Sequence, residues 1–125
     1  MRILLADHHP QALWALKTML SEKPGFCVTD EATDADTLLA LALLNPPDLV
    51  LVDCDLPGIS ISDTIAKLHA CIPRPIVVVM GSKPDIGTLL LKAGADAFVS
   101  KSDQPDWLLE TLQKFDNRLS FVNGR

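Results

Sequence analysis

The segment Asp48-Leu-Val-Leu-Val-Asp53-Cys-Asp-Leu-Pro-Gly58 joins an apolar run to an abrupt polar stop. The uniformly apolar residues 49–52 are typical of a central parallel strand that is buried on both faces. Pro57 and Gly58 then predict a tight turn soon after this strand. Because ligands of α/β sheets bind at the carboxyl ends of the strands, the carboxylate of Asp53 is the best candidate for a reactive group.

Along the rest of the chain, apolar runs of strand length alternate with segments of helical period. The predicted strands are residues 3–6, 26–29, 49–52, 76–79 and 97–99. The predicted helices are residues 10–20, 34–44, 62–70, 85–92 and 106–118. This alternation favours right-handed crossovers and a doubly wound α/β fold, with a five-stranded parallel sheet covered on both faces. The expected strand order is 2-1-3-4-5, with the acids collected at the point where the order reverses.

The 125 residues fit one domain, which we place at residues 1–119, with residues 120–125 as a tail or the start of a linker. The second predicted helix is rich in leucine, and a stripe of this kind is typical of a helix face that packs on the core. We expect all of the following to be core residues: Leu38, Leu39, Leu41, Leu43 and Leu44.

The composition excludes several classes of function. A net charge of −5 disfavours direct binding to nucleic acid or to acidic membrane surfaces. No apolar stretch approaches the roughly 20 residues that span a bilayer, and Asp7 comes too early for a signal peptide. We therefore expect a cytoplasmic protein, and the three unpaired cysteines are expected to be reduced, buried thiols.

The residues at the ends of the first, third, fourth and fifth predicted strands are chemically suggestive. They are Asp7, Asp53, Gly81 with Ser82, and Lys101. Close carboxylates repel each other unless a cation lies between them, and oxygen ligands suit Mg²⁺. A lysine nearby supplies a point charge that can hold a phosphoryl oxygen. An aspartate nucleophile, a divalent ion and a lysine together favour phosphoryl transfer to a carboxylate.

Three motifs in this order resemble the receiver domains of two-component response regulators. They are Ala6-Asp7-His8-His9-Pro10, Val52-Asp53-Cys-Asp55-Leu-Pro-Gly58, and Lys92-Ala-Gly-Ala-Asp96-Ala-Phe98-Val-Ser-Lys101. The last motif, in which Ser102 and not proline follows Lys101, is similar to regulators with a helix-turn-helix DNA-binding output. The resemblance implies that Asp53 is the phosphoacceptor and that Lys101 clamps the phosphoryl group. It also implies an Mg²⁺ site formed by Asp7, Asp53 and the backbone carbonyl of Asp55.

The chain departs from the receiver pattern in three places. His8 stands where receivers carry a second acid, and an imidazole is a poor ligand for a hard cation, so Mg²⁺ binding is expected to be weak. The switch hydroxyl at the end of the fourth strand is not obvious, since one count places Met80 there and another places Ser82. Phe98 corresponds to the aromatic switch residue and has no hydroxyl. His9 is expected to be an exposed or helix-capping residue.

Three functions follow from these features. The first is a signalling switch in which Asp53 accepts a phosphoryl group, without enzymatic activity apart from self-catalysed phosphoryl transfer and dephosphorylation. The second is a degenerate receiver that acts as an interaction module without phosphorylation. The third is a small phosphatase of the haloacid dehalogenase type, in which Asp53 and Asp55 act as nucleophile and acid/base.

The resemblance also implies partners. A histidine kinase or phosphotransfer protein would donate the phosphoryl group, and an output domain or a protein partner would respond to it. A homodimer is a further expected assembly. We expect neither nucleic acid nor a membrane to bind this domain directly.

Overall fold

The computed structural model describes residues 1–101 and 105–122, and within them strands and helices alternate as the sequence predicts. The strands are β1 Arg2–Ala6, β2 Cys27–Ala32, β3 Leu49–Asp53, β4 Ile76–Gly81 and β5 Ala97–Ser100. The helices are α1 Pro10–Ser21, α2 Ala35–Leu44, α3 Ile61–His69, α4 Gly87–Lys92 and α5 Pro105–Val122. A 3₁₀ turn, Pro84–Ile86, precedes α4.

The five strands form one parallel sheet in the order β2-β1-β3-β4-β5, which confirms the predicted topology. One core layer packs between the sheet and helices α2, α3 and α4, and includes Leu38, Ile65 and Leu90. The other lies between the sheet and helices α1 and α5, and includes Leu13 and Leu112. The central strand β3 is buried throughout, as its uniformly apolar sequence requires.

Several sequence predictions need correction. Strand β2 runs to Ala32, three residues beyond its predicted end. An edge strand tolerates polar residues, and the half-buried Asp30 and the exposed Glu31 interrupt the apolar pattern that would reveal the strand. On α2, Leu43 and Leu44 are 68% and 82% exposed, so they are not core residues. The apolar content of α2 exceeds what one buried helix face can hold. Cys27, predicted to be buried, is exposed on the edge strand β2.

The loop that follows β3 at the carboxyl edge of the sheet is held against the start of α2. Gly58 adopts φ +117°, and a Cβ there would lie 3.0 Å from the Cβ of Ala35. Only glycine accepts this conformation and this approach without strain. The adjacent carbonyl of Pro57 accepts the backbone N–H of Ala35 at 2.9 Å, and Asp34 caps α2 by accepting the N–H of Thr37. The loop after Asp53 is thereby anchored to α2.

The C-terminal boundary remains a prediction. Helix α5 continues to Val122, four residues beyond its predicted end at Arg118. Residues 123–125 of the predicted tail lie outside the described residues. Within the described part of the chain, no helix combines the length and the apolar character that crossing a membrane requires.

Candidate functional site

Three of the predicted site residues meet at the carboxyl edge of the sheet. Asp7 directly follows β1, Asp53 is the last residue of β3, and Lys101 directly follows β5. The backbone N–H of Lys101 donates to the carbonyl of Gly81 at 2.7 Å, which ties the lysine to the end of β4. Strand pairing therefore fixes all three residues, and we refer to the space between them as the acidic cleft.

The side chains of the acidic cleft are in direct contact. The ammonium of Lys101 donates to Oδ2 of Asp7 at 2.9 Å and lies 3.3 Å from Oδ2 of Asp53. The side chain of Asp7 is fully buried, and that of Asp53 is 2% exposed. Two carboxylates thus share one lysine in a place that water barely reaches, and the three groups carry a combined charge of −1.

The surroundings shift the pKa values of two of these groups. Burial alone would raise the pKa of Asp7, but hydrogen bonds from Lys101 and His9 and the lysine charge outweigh it and lower the pKa. Burial alone would lower the pKa of Lys101, and its contacts with Asp7 and Asp53 raise it instead. Asp7 is therefore ionised and Lys101 protonated throughout the physiological range.

Two histidines stand next to these acids. Nδ1 of His8 lies 3.4 Å from Oδ2 of Asp53 and 4.0 Å from Oδ1 of Asp7. Both the backbone N–H of His9 and its ring Nδ1 contact Oδ1 of Asp7, at 2.9 and 3.1 Å. His8 therefore faces the cleft, as its position after Asp7 suggested.

His9 is the residue that the sequence analysis undervalued. Its side chain is 60% exposed and it precedes α1, as predicted, yet it makes no side-chain cap on that helix. Its ring instead turns back onto Asp7. The available signal was its spacing, since a residue two positions after a strand-end aspartate can donate its backbone N–H to that carboxylate.

Two buried atoms of this cluster have no hydrogen-bond partner among residues 1–101 and 105–122: Oδ2 of Asp53 and Nδ1 of His8. The other carboxylate oxygen of Asp53, Oδ1, accepts the backbone N–H of Asp55 at 3.3 Å. Buried polar atoms are nearly always hydrogen-bonded, so an exception within a cleft is a mark of a functional site. Apart from its ion pair with Lys101, Oδ2 of Asp53 is therefore available to an incoming group.

The other residues after β3 play different parts. Asp55 is exposed and does not join the lysine contacts. Cys54 packs against the core layer of α2 to α4, and a Cβ on Gly81 would lie 3.1 Å from its Sγ. Burial and the neighbouring charges of Asp55 and Asp53 raise the pKa of the Cys54 thiol to about 11. This cysteine is therefore a protonated packing residue.

At the end of β4, the structure separates the two candidates for the switch residue. Met80 is the cross-strand neighbour of Asp53, is 4% exposed and belongs to the core layer of α1 and α5. Ser82 is exposed and follows Gly81, the last residue of β4. The position level with Asp53 is thus a methionine, which has no hydroxyl to donate.

Phe98 is half-buried and lies against α4. A Cβ built on Gly87 would lie 2.8 Å from its ring, and one built on Gly81 would lie 3.0 Å from it. The ring therefore occupies space that these two glycines leave open. It packs with the core layer of α2 to α4.

A cavity of about 300 Å³ between α1 and α5 also reaches Asp7 and Lys101. Its walls are mainly apolar and include Leu16, Met19 and Leu108. Such walls do not suit a charged phosphoryl group. The acidic cleft, and not this cavity, therefore suits phosphoryl chemistry.

Comparison with known proteins agrees with this geometry. The family model described as response regulator receiver domain matches residues 3–113. The nitrate/nitrite response regulator protein NarL of Escherichia coli K12 is 32% identical over 114 residues, which cover 90% of this chain and 53% of that protein. The transcriptional regulatory protein KdpE of Mycobacterium tuberculosis H37Rv is 34% identical over 113 residues, which cover 89% of this chain and 49% of that protein.

A solved structure shows the same fold. The CheY-like receiver domain protein of Methanospirillum hungatei JF-1 aligns with a TM-score of 0.82 and 27% identity, over 94% of each chain. The chain spans about half the length of the curated relatives named above.

Proposed function

Because the chain belongs to the response regulator receiver family, we propose that Asp53 accepts a phosphoryl group and that this modification controls a protein interaction. One observation carries the proposal: Oδ2 of Asp53 is buried, forms no hydrogen bond with any described residue and lies 3.3 Å from the ammonium of Lys101. A nucleophile with free lone pairs beside a fixed cation suits attack on a phosphoryl group.

The proposed reaction follows from these contacts. Oδ2 of Asp53 attacks the phosphorus of a donor, such as a phosphohistidine, and an acyl phosphate bond forms as the donor's P–N bond breaks. Lys101 stabilises the charge on the phosphoryl oxygens, and its hydrogen bond to Asp7 orients it. Hydrolysis of the acyl phosphate would reset the site. This self-catalysed chemistry is the only catalysis that we propose.

The donor set fits Mg²⁺ poorly. Asp7, Asp53 and the carbonyl of Asp55 would offer the oxygen ligands that Mg²⁺ prefers. The cluster around the unpartnered Oδ2 of Asp53, however, also contains the ring nitrogens of His8 and His9. We therefore propose weak Mg²⁺ binding and assign no step to this ion.

Labelling with a small phosphodonor tests the assignment. The intact mass of the wild-type chain should rise by one phosphoryl group, and Asp53→Asn should abolish the gain. Asp55→Asn is a matched control, because it neutralises an exposed acid two residues away and keeps the backbone carbonyl. Equal labelling of Asp53→Asn, or loss of labelling only in Asp55→Asn, would refute the proposal.

Two features favour a second candidate function, an interaction module that works without phosphorylation. His8 replaces an expected acid, and Met80 occupies the position level with Asp53. A wild-type chain that stays unlabelled while folded would support this alternative. The family match and the parallel order of the sheet favour both receiver hypotheses over a haloacid dehalogenase-type phosphatase.

The partners remain proposals as well. By analogy with the regulators named above, a histidine kinase or phosphotransfer protein would be the donor, and an output domain or partner protein would read the state of Asp53. The net charge of −5 supports the proposal that this domain does not bind nucleic acid directly. Homodimer formation and a cytoplasmic location stay predictions.

A further inference from the structure

Four side chains of the cleft could together hold a metal ion, and their chemistry is mixed. Asp7, His8, His9 and Asp53 each offer one ligand atom, and these atoms all lie within 4.8 Å of one another. Two of the donors are imidazole nitrogens and two are carboxylate oxygens. Imidazole suits Zn²⁺ and the neighbouring transition metals, whereas Mg²⁺ selects oxygen.

The spacing of these atoms is close to that of a tetrahedral site. With metal–nitrogen bonds of 2.0–2.1 Å, the ligand atoms of a tetrahedral zinc site lie about 3.3–3.4 Å apart. Nδ1 of His8 is 3.4 Å from Oδ2 of Asp53 and 4.0 Å from Oδ1 of Asp7. Nδ1 of His9 is 3.1 Å from the same oxygen of Asp7. These three distances bracket the tetrahedral value, and the remaining ones stay within 4.8 Å.

The unpartnered atoms point independently to a ligand. Oδ2 of the almost fully buried Asp53 and Nδ1 of His8 lie 3.4 Å apart, and neither forms a hydrogen bond within the described part of the chain. Leaving such atoms buried and unpaired costs free energy. A cation between them would use a lone pair of each, so the same two atoms that the fold leaves unsatisfied are the ones that a metal would satisfy.

Lys101 leaves room for such an ion at Asp7. The lysine contacts Oδ2 of Asp7, whereas the histidines approach Oδ1. At Asp53 both the lysine and His8 approach Oδ2, so a metal would share this oxygen with the ammonium. The combined charge of −1 from these acids and the lysine favours any divalent cation, and the nitrogen donors decide which one.

We infer that the acidic cleft binds a borderline divalent transition-metal ion through Asp7, His8, His9 and Asp53, in preference to Mg²⁺. The inference concerns the same cleft as the proposed function and rests on the placement of Asp53 there. It does not require that Asp53 becomes phosphorylated, and metal binding is measured without any phosphodonor.

Competition titration with Zn²⁺ provides the first test, in a chain carrying Cys27→Ser and Cys71→Ser so that accessible thiols do not bind the ion. One equivalent of Zn²⁺ should bind in the presence of a large excess of Mg²⁺. Mutating a residue that only orients a metal ligand typically lowers metal affinity roughly 10- to 100-fold. Removing a ligand itself should lower the affinity at least as much. His8→Asn and His9→Asn should therefore each weaken Zn²⁺ binding at least tenfold.

His69→Asn is the matched control, because His69 is the remaining histidine of the chain and pairs with Asp96 outside the cleft. Its Zn²⁺ affinity should equal that of the parent. His8→Asp should shift the preference toward Mg²⁺, since it restores an oxygen donor. Zn²⁺ binding that is unchanged in His8→Asn and His9→Asn, or equally weakened in His69→Asn, would overturn the inference.

A measurement on the parent chain avoids reliance on variants that fold poorly. In NMR spectra of the histidine rings, Zn²⁺ should shift the ring nitrogens of His8 and His9 and leave those of His69 in place. Unshifted signals of His8 and His9 at saturating Zn²⁺ would refute the site. If the ring signals shift but no phosphodonor labels Asp53, the proposed function fails and the metal site stands. If Asp53 is labelled but the ring signals do not shift, the metal site fails and the proposed function stands.

Discussion

Asp53 and Asp96 have similar neighbours but lie at opposite edges of the sheet. Asp53 ends β3 at the carboxyl edge, beside His8 and Lys101. Asp96 precedes β5 at the amino edge, beside His69 and Arg74. Each aspartate therefore has one histidine and one basic side chain within 3.4 Å.

The two aspartates differ in how their oxygens are satisfied. Oδ2 of Asp96 accepts the backbone N–H of Val77 at 2.8 Å and contacts His69, and Oδ1 accepts from Arg74 at 3.4 Å. Its side chain is 26% exposed, so water also reaches it. Oδ2 of Asp53 is buried and forms no hydrogen bond with the residues that the structure describes, although the ammonium of Lys101 lies 3.3 Å away. Asp96 holds the start of two strands together, whereas Oδ2 of Asp53 is the oxygen that reacts in the proposed function.

The largest expected difference between the two edges concerns phosphoryl transfer. Lys101→Met should slow labelling by a phosphodonor roughly 10²- to 10³-fold, the usual effect of losing one preorganised group that stabilises transition-state charge. Arg74→Met removes the corresponding cation at Asp96 and should leave the labelling rate unchanged. Initial rates from intact mass measure both. Equal rates for Lys101→Met and the wild type would show that the lysine has no part in the transfer.

Alanine at each aspartate should affect stability in different ways. Asp96→Ala leaves the N–H of the buried Val77 without a partner, which should lower the free energy of unfolding by about 1–3 kcal/mol. Asp53→Ala relieves the repulsion with Asp7 and keeps the Asp7–Lys101 bond, so the change should stay within about 1 kcal/mol.

Urea denaturation of the two variants and the wild type decides this point. Asp96→Asn is the control, since an amide oxygen can still accept the N–H of Val77 and should recover part of the loss. A destabilisation at Asp53 as large as that at Asp96 would mean that both clusters are structural, and the contrast between them would disappear.

The place of the acidic cleft could be predicted from sequence, whereas the Asp96 cluster and several side-chain positions could not. Strand ends are visible as polar stops after apolar runs, so Asp7, Asp53 and Lys101 were placed at one edge, and strand pairing brings them together. The position of the His9 ring was not accessible, because a rotamer at a helix start depends on contacts that spacing does not encode. Likewise, helical period does not show how many leucines of α2 the sheet can cover, and Leu43 and Leu44 remain exposed.

The acidic cleft should also give the protein a defined pH dependence. The pKa of Asp7 is lowered in the folded state, so its contribution to stability is present above the ordinary pKa of about 3.9 and is lost as pH falls through the folded value. The pKa of Lys101 is raised, so its contribution is lost only as pH rises above about 10.4 and through the folded value.

Asp7→Asn should therefore flatten the acid limb of the stability curve. The difference in slope from the wild type should not exceed one proton, or about 1.4 kcal/mol per pH unit. Urea denaturation at a series of pH values from about 2 to 7, the range in which carboxylates titrate, gives the free energy of unfolding of both proteins. The buffer should contain a chelator. Parallel curves for the two proteins would show that Asp7 has the same pKa in the folded and unfolded chains.

The smallest expected effect is the response of α4 and β5 to phosphorylation of Asp53. Shifting a two-state switch from mostly off to mostly on takes about 5.5 kcal/mol of differential stabilisation. A charge-assisted hydrogen bond from a hydroxyl at the end of β4 would supply roughly 1.5–3 kcal/mol of this. Met80 has no such hydroxyl, and Phe98 already packs between Gly81 and Gly87. A partial response is therefore expected.

Amide exchange with and without beryllofluoride, a phosphoryl mimic, measures this response. In the wild type, exchange in α4 and β5 should change less than about tenfold, which corresponds to 1.4 kcal/mol, and exchange at Val77 beside Asp96 should not change. Met80→Thr should enlarge the change in α4 and β5. Met80→Val should not, because valine has nearly the same shape as threonine but no hydroxyl. Because threonine and valine leave similar space in the core layer of α1 and α5, any difference between them reports on the hydroxyl. A large cooperative change in the wild type would contradict this prediction and would show that the chain switches without a hydroxyl level with Asp53.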